Sequence, residues 1–266
     1  NQGIEFTINT TNIKTRDFSW STNFNIGFNK NKVLELTENQ LSMQTNGYFD
    51  QNFTSSNYIA KIGYPIGMMY GYIYEGTYKL DDFTTDGTNY YLKPGVPYYT
   101  AENNTQPGFP RYADLNEDGI IDTNDQTFIG RGEPVHIGGF TNNFEYKGFD
   151  LSIFFQWSAG SDLLNANKLM FETGYNKRKD LNQYASFIDR WTFDNQDSNI
   201  PRVSASSSNN LFSTRLIEDG SYLRLKTLSV GYTFDKKLIN KLKLKKARIY
   251  VSAQNILTLT KYSGYD

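Results

Sequence analysis

Strict alternation of apolar and polar residues is the dominant pattern of this chain. Between Phe18 and Phe28 the even positions carry apolar residues and Thr22, whereas the odd positions carry Ser, Asn or Gly. Successive side chains of a strand point to opposite faces, so a period of two predicts strands with one apolar face. The pattern predicts six strands, over residues 3–13, 17–35, 136–146, 149–159, 221–234 and 246–258.

The connections between these strands predict three antiparallel hairpins. Residues 14–17 and 146–150 form short turns, and a Lys-rich linker, 235–246, joins the last two strands. In the fifth strand the apolar phase slips by one residue. A phase slip of this kind predicts a β-bulge near Lys226 and Thr227, because one extra residue restores the alternation on the same face.

Two long polar segments, 38–133 and 161–220, separate the hairpins. Short turns at one end and long loops at the other are typical of outer-membrane barrels, whose strands cross the bilayer with about 9–11 residues. We therefore predict an all-β chain that contributes to a transmembrane antiparallel β-barrel with long extracellular loops. A soluble β-sandwich also has alternating strands and is the alternative fold.

Composition narrows the functional classes. The 266 residues include 27 basic and 28 acidic residues, one His and no Cys. A net charge of −1 does not provide the basic surface of a nucleic-acid-binding protein. Without Cys there is no thiolate metal site, and no carboxylate pair is marked as catalytic. We expect no enzymatic activity.

An acidic segment, 114–125, fits the twelve-residue calcium loop. Oxygen ligands fall at the first, third, fifth, ninth and twelfth positions, a backbone carbonyl at the seventh, and Gly119 permits the sharp turn at the sixth. Calcium prefers six to eight oxygen ligands, which this spacing wraps round one point. The predicted metal ligands are Asp114, Asn116, Asp118, Ile120, Asp122 and Asp125.

The twelfth position of this loop is Asp125, where calcium loops usually carry a bidentate Glu. A shorter side chain binds through one oxygen or leaves room for water. The alternative reading is a solvated acidic turn. We expect any bound Ca²⁺ to be structural, holding a long loop together and taking no part in catalysis.

Two further features invite a functional reading. The segment 64–76 is rich in Tyr and Gly, which suits either a ligand surface or packing of a loop, and packing is the favoured interpretation. His136 lies at the start of a predicted strand, where a hydrogen-bonding role is expected and a catalytic one is not.

Several segments, in order along nearly the whole chain, carry a resemblance to a known family. They are Asn1-Gln2-Gly3-Ile4-Glu5, Gly63-Tyr64-Pro65-Ile66-Gly67, Tyr70-Gly71-Tyr72, Tyr112-Ala113-Asp114-Leu115-Asn116-Glu117-Asp118-Gly119, Tyr146-Lys147-Gly148-Phe149-Asp150-Leu151, Arg190-Trp191-Thr192 with Pro201-Arg202, and Tyr222-Leu223-Arg224-Leu225-Lys226. These segments are similar to those of the SusC/RagA family of TonB-dependent outer-membrane transporters from Bacteroidota. Phe193 departs from the family pattern, which has Pro there.

This resemblance implies a 22-stranded barrel in the Gram-negative outer membrane, of which the chain is the C-terminal part. The family's N-terminal plug domain, its TonB box and the final strand are then absent from these 266 residues. It also implies a SusD-like surface lipoprotein as partner, and coupling to TonB–ExbB–ExbD through the missing N-terminal part. Family topology places segments 38–133 and 161–220, including the calcium loop, outside the cell.

The predicted function is therefore TonB-dependent active import of an oligomeric nutrient, a glycan or a peptide, with the SusD-like lipoprotein. The alternative is a soluble secreted calcium-binding β-sandwich that binds carbohydrate. The sequence does not identify substrate-binding residues. Candidates facing the lumen of a barrel, unranked, are Asn23, Asn25, Gln156, Arg248 and Gln254.

Overall fold

The computed structural model describes residues 1–50, 53–99, 104–172, 181–203, 211–240 and 243–265. Parts of the predicted long loops, 51–52, 100–103, 173–180 and 204–210, lie outside the described residues. The chain forms two compact units. The first, the sheet unit, comprises Asn1–Lys32, Glu133–Asp162 and Asp219–Tyr262, and the second, the loop unit, comprises Val33–Gly132, Leu163–Glu218 and Ser263–Asp266.

Strands are the main regular secondary structure of both units. The first nine are β1 (Gln2–Lys14), β2 (Phe18–Lys30), β3 (Ser42–Asp50), β4 (Phe53–Lys61), β5 (Met68–Gly71), β6 (Tyr74–Thr77), β7 (Phe83–Thr85), β8 (Tyr90–Leu92) and β9 (Tyr98–Tyr99). The others are β10 (Pro110–Tyr112), β11 (Ile120–Ile121), β12 (Thr127–Arg131), β13 (His136–Tyr146), β14 (Phe149–Ala159), β15 (Asp162–Leu164), β16 (Ile217–Asp219), β17 (Tyr222–Thr233) and β18 (Arg248–Thr260).

Helices are short in the described part of the chain. Two are α-helical, α1 (Asn167–Phe171) and α2 (Lys236–Asn240). Single 3-10 turns lie at Thr37–Asn39, Leu80–Asp82, Thr123–Asp125, Ala185–Asp189 and Thr214–Leu216. Within the described ranges, no helix has the length and apolar character needed to cross a membrane.

The sheet unit is one antiparallel sheet of six strands in the order β1-β2-β13-β14-β17-β18. Its register places apolar residues opposite one another across the strands. Phe24 is opposite Ile8 on one side and Phe140 on the other, and Phe140 is opposite Phe155. The neighbouring register positions pair Asn23 with Asn9 instead. Because this register aligns the alternation of every strand, one face is apolar and the other is polar.

The apolar face is exposed on the outer strands. Ile4, Phe6 and Ile8 of β1 are each more than half exposed, and so are Ile249 and Val251 of β18. A contiguous apolar surface of this kind needs an apolar environment, because water does not favour it.

The turn between β13 and β14 has a backbone conformation that requires glycine at position 148. Both residues have positive φ, 46° for Lys147 and 89° for Gly148. A Cβ on Gly148 would lie 2.7 Å from the carbonyl oxygen of Thr233. Glycine is therefore required by both the turn conformation and the neighbouring strand.

The β-bulge predicted near Lys226 is confirmed. Leu225 and Thr227 pair with the consecutive residues Phe155 and Phe154, so Lys226 has no partner in that ladder. The pairing of β17 with β18 shifts at the same point. The extra residue keeps the apolar side chains of both halves of β17 on one face.

The predicted second strand, 17–35, is too long at its C-terminal end, since β2 ends at Lys30. The reason is a competing backbone partner. The N–H of Val33 donates to the carbonyl of Tyr64, and the N–H of Gly63 donates to the carbonyl of Val33, each at 2.9 Å. Alternation alone does not reveal that these groups pair within the loop unit.

The loop unit has hydrophobic cores of its own. Strands β3, β4, β5 and β12 form one sheet, and the other strands of this unit pair two by two. Buried side chains form three clusters. The first contains Met69, Leu169, Phe212 and Leu216, and the second contains Tyr78, Phe83, Leu92 and Phe109. The third contains Tyr72, Tyr112 and Ile121. The described parts of the segments predicted as long loops therefore pack around buried apolar side chains.

Candidate functional site

The acidic segment 114–125 forms a loop in which side-chain oxygens accept hydrogen bonds from nearby backbone N–H groups. Asp114 Oδ2 accepts from Gly119 at 2.8 Å, and Asp118 Oδ1 accepts from Ile120 at 2.8 Å. Asn116 donates to Asp118 Oδ2 at 2.9 Å. Gly119 has a φ of 85°, as expected for the sharp turn at the sixth position of a calcium loop.

Asp125 closes this loop from its C-terminal end and is fully buried. Its Oδ1 accepts from the N–H of Leu115 at 2.7 Å, and its Oδ2 accepts from the N–H of Asp122 at 2.7 Å. Asp122 in turn caps the 3-10 turn by accepting from Asn124 at 2.7 Å. Ile120, the predicted carbonyl ligand, lies in β11 and pairs with Tyr98.

One carboxylate oxygen of the loop, Asp114 Oδ1, is buried without a hydrogen-bond partner among the described residues. Such an atom costs free energy unless a ligand satisfies it. Against this, the described residues contain no group of three or more acidic or His side chains gathered to hold a metal. Because the carboxylates point to N–H groups, a cation would have to draw the side chains of Asp114 and Asp118 inward.

The Tyr- and Gly-rich segment 64–76 packs in part, as predicted: Met69 and Tyr72 are buried, whereas Tyr64 and Ile66 are exposed. Tyr72 is buried, and its ring centroid lies 5.7 Å from that of Tyr112. A Cβ on Gly71 would collide with the backbone of Phe212. Burial raises the pKa of the Tyr72 hydroxyl to about 12. This segment therefore stabilises the loop unit.

The polar face of the sheet brings together two of the predicted lumen residues. Asn25 donates to Asn23 Oδ1 at 3.5 Å, and Asn23 donates to Asn9 Oδ1 across the β1–β2 pair. These three amides form a ladder along and across the strands. Gln156 lies on the same face of β14, opposite Gly139.

The other two predicted lumen residues lie on β18. Gln254 pairs with Thr227, directly beside the bulge. Arg248 is not free to meet a ligand, because both its Nε and Nη2 donate to the carboxylate of Asp150. Its guanidinium also lies 4.9 Å from the ring centroid of Tyr250.

A polar network on the apolar face was not predicted from the sequence. Trp20 Nε1 and Thr22 Oγ1 each donate to Asn142 Oδ1 at 2.9 Å, and Asn12 donates to Thr22 Oγ1 at 2.6 Å. Asn142 was recognisable as an exception to the alternation, but its partners on β2 were not. At the other end of this face, Trp157 Nε1 donates to His136 Nδ1 at 3.1 Å, which confirms the hydrogen-bonding role of the histidine.

Two carboxylates, the buried Glu172 and the half-buried Glu218, order the loop unit, and the sequence marks neither. Glu218 accepts from Lys168 at 2.5 Å and from the N–H of Ser263 at 2.7 Å. Burial by itself raises the pKa of Glu218, but these hydrogen bonds outweigh it and lower the pKa to about 2. Glu172 accepts from Arg215 Nη2 at 3.1 Å, with both side chains about nine-tenths buried.

Comparison with known proteins places the chain among receptors and transporters. It is 37% identical over 268 residues to TonB-dependent receptor P3 of Formosa agariphila, and 31% identical to TonB-dependent receptor P26 of the same organism. It is 23% identical to TonB-dependent receptor SusC of Bacteroides thetaiotaomicron. Each match covers all of this chain. A scan against protein-family models found no match.

Solved structures show the same fold. The chain superimposes on the RagAB peptide transporter with a TM-score of 0.73 at 24% sequence identity, over 99% of this chain and 26% of that one. The RagAB peptide importer in its closed-closed state gives the same TM-score. The chain spans about a quarter of the length of the curated relatives it matches, 25% for P3 and 24% for SusC.

Proposed function

Because this chain belongs to the SusC/RagA family of TonB-dependent receptors of the outer membrane, we propose that it forms wall and outer loops of a transporter for an oligomeric nutrient. The observation that carries this proposal is the 37% identity to a TonB-dependent receptor along the whole chain. Membership of this family is incompatible with the alternative of a soluble secreted β-sandwich.

In this proposal the six-stranded sheet is a sector of a closed, 22-stranded barrel. The apolar face, with Ile4, Phe6 and Val251, contacts lipid, and the polar face, with Asn23 and Asn25, lines the lumen. Two-faced strands of 11–13 residues support this arrangement, because a tilted strand of about 9–11 residues crosses a bilayer. The loop unit then forms the outer surface.

We propose that a SusD-like lipoprotein covers this outer surface, and that TonB–ExbB–ExbD supplies the energy through a plug domain outside this chain. The similarity to SusC and to the RagAB transporter supports this. No bond of the nutrient is made or broken. The nutrient is an oligosaccharide or a peptide, and the wall supplies hydrogen-bonding groups along its path.

Deletion of the full-length gene tests the proposal. We expect loss of growth on one class of polymer, glycan digests or protein digests, with growth on glucose unchanged. Restoring the gene without its TonB-interacting segment should not restore growth, whereas the intact gene should. Normal growth of the deletion strain on every polymer offered would overturn the import function.

We also propose that segment 114–125 binds Ca²⁺ as a structural ion. The buried, unpartnered oxygen of Asp114 and the fully buried carboxylate of Asp125 support this, since a cation satisfies the first and neutralises both. The donor set of carboxylate, amide and backbone oxygens is the one that Ca²⁺ prefers. The ion would hold the loop unit and take no part in transport chemistry.

Limited trypsin digestion of the full-length receptor tests the ion. We expect cleavage at Arg111 to be faster after chelation with EGTA and to return to its original rate on adding Ca²⁺. Asp114→Asn should digest at the fast rate in both conditions. Glu117→Gln, a loop residue outside the predicted ligand set, is the matched control and should respond like the wild type. Equal digestion with and without chelator would contradict a bound ion.

A further inference from the structure

A groove lies on the polar face of the sheet unit, where each of two adjacent strands has a glycine and therefore no side chain. Gly27 of β2 is paired with Ile137 of β13, and Gly139 of β13 is paired with Asn25 of β2. The groove has a volume of about 400 Å³, and its lining includes Glu5, Thr7, Asn25, Phe154 and Gln156. It is near the end of the sheet opposite the short turns, where the long segments begin.

Gly139 is the floor of the groove. It is buried although it lies on a sheet face, because Phe154 and Asn25 lie over it. A Cβ at this position would lie 3.0 Å from Phe154 Cε2 and 3.1 Å from Asn25 Nδ2. Any side chain at position 139 would displace both neighbours. Glycine therefore allows the ring of Phe154 and the amide of Asn25 to lie next to each other.

Phe154 is out of place in the alternation of its strand. Its neighbours on the polar face of β14 are Ser152 and Gln156, whereas the apolar face carries Ile153 and Phe155. Phe154 is half-buried, and the part of its ring that stays exposed lines the groove and is available to a ligand. The sequence alone shows that Phe154 breaks the pattern, but not that it lies over a glycine.

Amide groups flank the ring. Asn25 lies at the end of the ladder through Asn23 to Asn9, so its orientation is set by a chain of hydrogen bonds. Within the described part of the chain, the Gln156 amide has no hydrogen-bond partner. Each amide group both donates and accepts, as a hydroxyl group does.

From this geometry we propose that the groove is a binding position for one uncharged sugar unit of an oligosaccharide. The ring of Phe154 contacts the C–H groups of the sugar, and the amides of Asn25 and Gln156 bond to its hydroxyls. Among the residues that line the groove, Glu5 carries the one charge, so an anionic sugar or an acidic peptide is disfavoured. The inference rests on the proposed import function and names its substrate class.

Growth and uptake experiments with the full-length transporter test this position. The probes are oligosaccharides from starch, xylan and β-galactan as neutral glycans, oligogalacturonate as an acidic glycan, and a casein digest. The variants Phe154→Ala and Gln156→Ala remove the ring and one amide. We expect uptake of the transported neutral oligosaccharide to fall roughly tenfold in Phe154→Ala, as loss of an aromatic contact predicts.

Matched controls separate binding from folding. Ser152→Ala changes a residue on the same face of the same strand and should transport like the wild type. Gly139→Val fills the groove and should abolish uptake, and its level in the outer membrane shows whether the barrel still folds. Phe154→Leu keeps an apolar side chain and loses the ring, so it should resemble Phe154→Ala if the aromatic contact matters.

The outcomes distinguish this inference from the import function itself. If deletion of the gene affects growth on no probe, the import function is wrong. If it affects only the casein digest or the acidic glycan, import stands and the sugar position is wrong. If neutral oligosaccharide uptake depends on the gene but is unchanged in Phe154→Ala and Gln156→Ala, the groove does not bind the substrate.

Discussion

Arg248 and Asp150 form a two-bond ion pair across a strand that lies between them. Arg248 Nε donates to Asp150 Oδ1 at 3.1 Å, and Nη2 donates to Oδ2 at 2.6 Å, from β18 to β14. The pair passes over Gly231 of β17, which is the register partner of Asp150. A Cβ on Gly231 would lie 2.5 Å from Arg248 Nη2 and 2.6 Å from Asp150 Oδ2.

Replacing Gly231 by Val should therefore break this pair. We expect Gly231→Val to destabilise the folded full-length receptor by about 1–3 kcal/mol, the usual cost of overpacking. The measurement is the temperature at which the detergent-purified receptor loses its folded mobility in gel electrophoresis. Ser229→Val, two residues along the same face, is the control. Equal midpoints for the two variants would show that the close passage over Gly231 is unimportant.

Asn142 should be more sensitive than its place on an apolar face suggests. Asn142→Leu makes that face more apolar, but it leaves Trp20 Nε1 and Thr22 Oγ1 without their acceptor. An unsatisfied polar group in an apolar environment costs about 1–3 kcal/mol, so the same heat assay should show a lower midpoint. Adding Thr22→Val should recover part of the loss. A higher midpoint for Asn142→Leu would refute the role of the network.

The buried ion pair of Glu172 and Arg215 predicts that removing one partner costs more folding stability than removing both. Arg215→Leu leaves Glu172 as an uncompensated buried charge and should cost about 3–5 kcal/mol. The double variant Glu172→Leu with Arg215→Leu should be less destabilised than the single one. Hydrogen exchange of α1 (Asn167–Phe171) measures the loss locally. A double variant that exchanges faster than Arg215→Leu would contradict this account.

The ionised carboxylate of Glu218 should stabilise the folded state at neutral pH and lose this effect in acid. Its pKa is lowered from 4.5 to about 2 in the folded state, so its contribution is complete above about pH 4.5 and declines as the pH falls towards 2. The difference in heat midpoint between the wild type and Glu218→Gln should be constant from pH 7 to 5 and shrink by pH 2.5. A difference that is the same at pH 7 and 2.5 would exclude this carboxylate as the cause.

The local sequence pattern is sufficient to predict the strands, the two faces and the bulge of the sheet unit. The alternation around Phe24 and the phase slip at Lys226 are encoded within a few residues, and side-chain periodicity translates directly into faces and a bulge. The tight turn at Lys147-Gly148 is equally local. The family resemblance was also carried by short segments that the relatives share.

The loop unit was not predictable in this way, because its contacts join distant residues with no common period. Tyr78 packs on Phe109, and Lys168 meets Glu218, across long stretches of polar sequence. The polar network between Trp20 and Asn142 spans 122 positions. Single polar residues of this kind reveal their partners only after the strands have paired. The Ca²⁺ loop remains a prediction, since its spacing is local but its ligation depends on an ion.

The bulge at Lys226 has a consequence for how this sheet changes over evolutionary time. Elsewhere in β17, gaining or losing one residue would exchange the two faces of the strand and place apolar side chains towards the polar side. At Lys226 the ladder already accommodates a mismatch in length with both neighbours. Insertions and deletions among relatives should therefore concentrate at this position, making it a point where the wall tolerates change in length without loss of its sidedness.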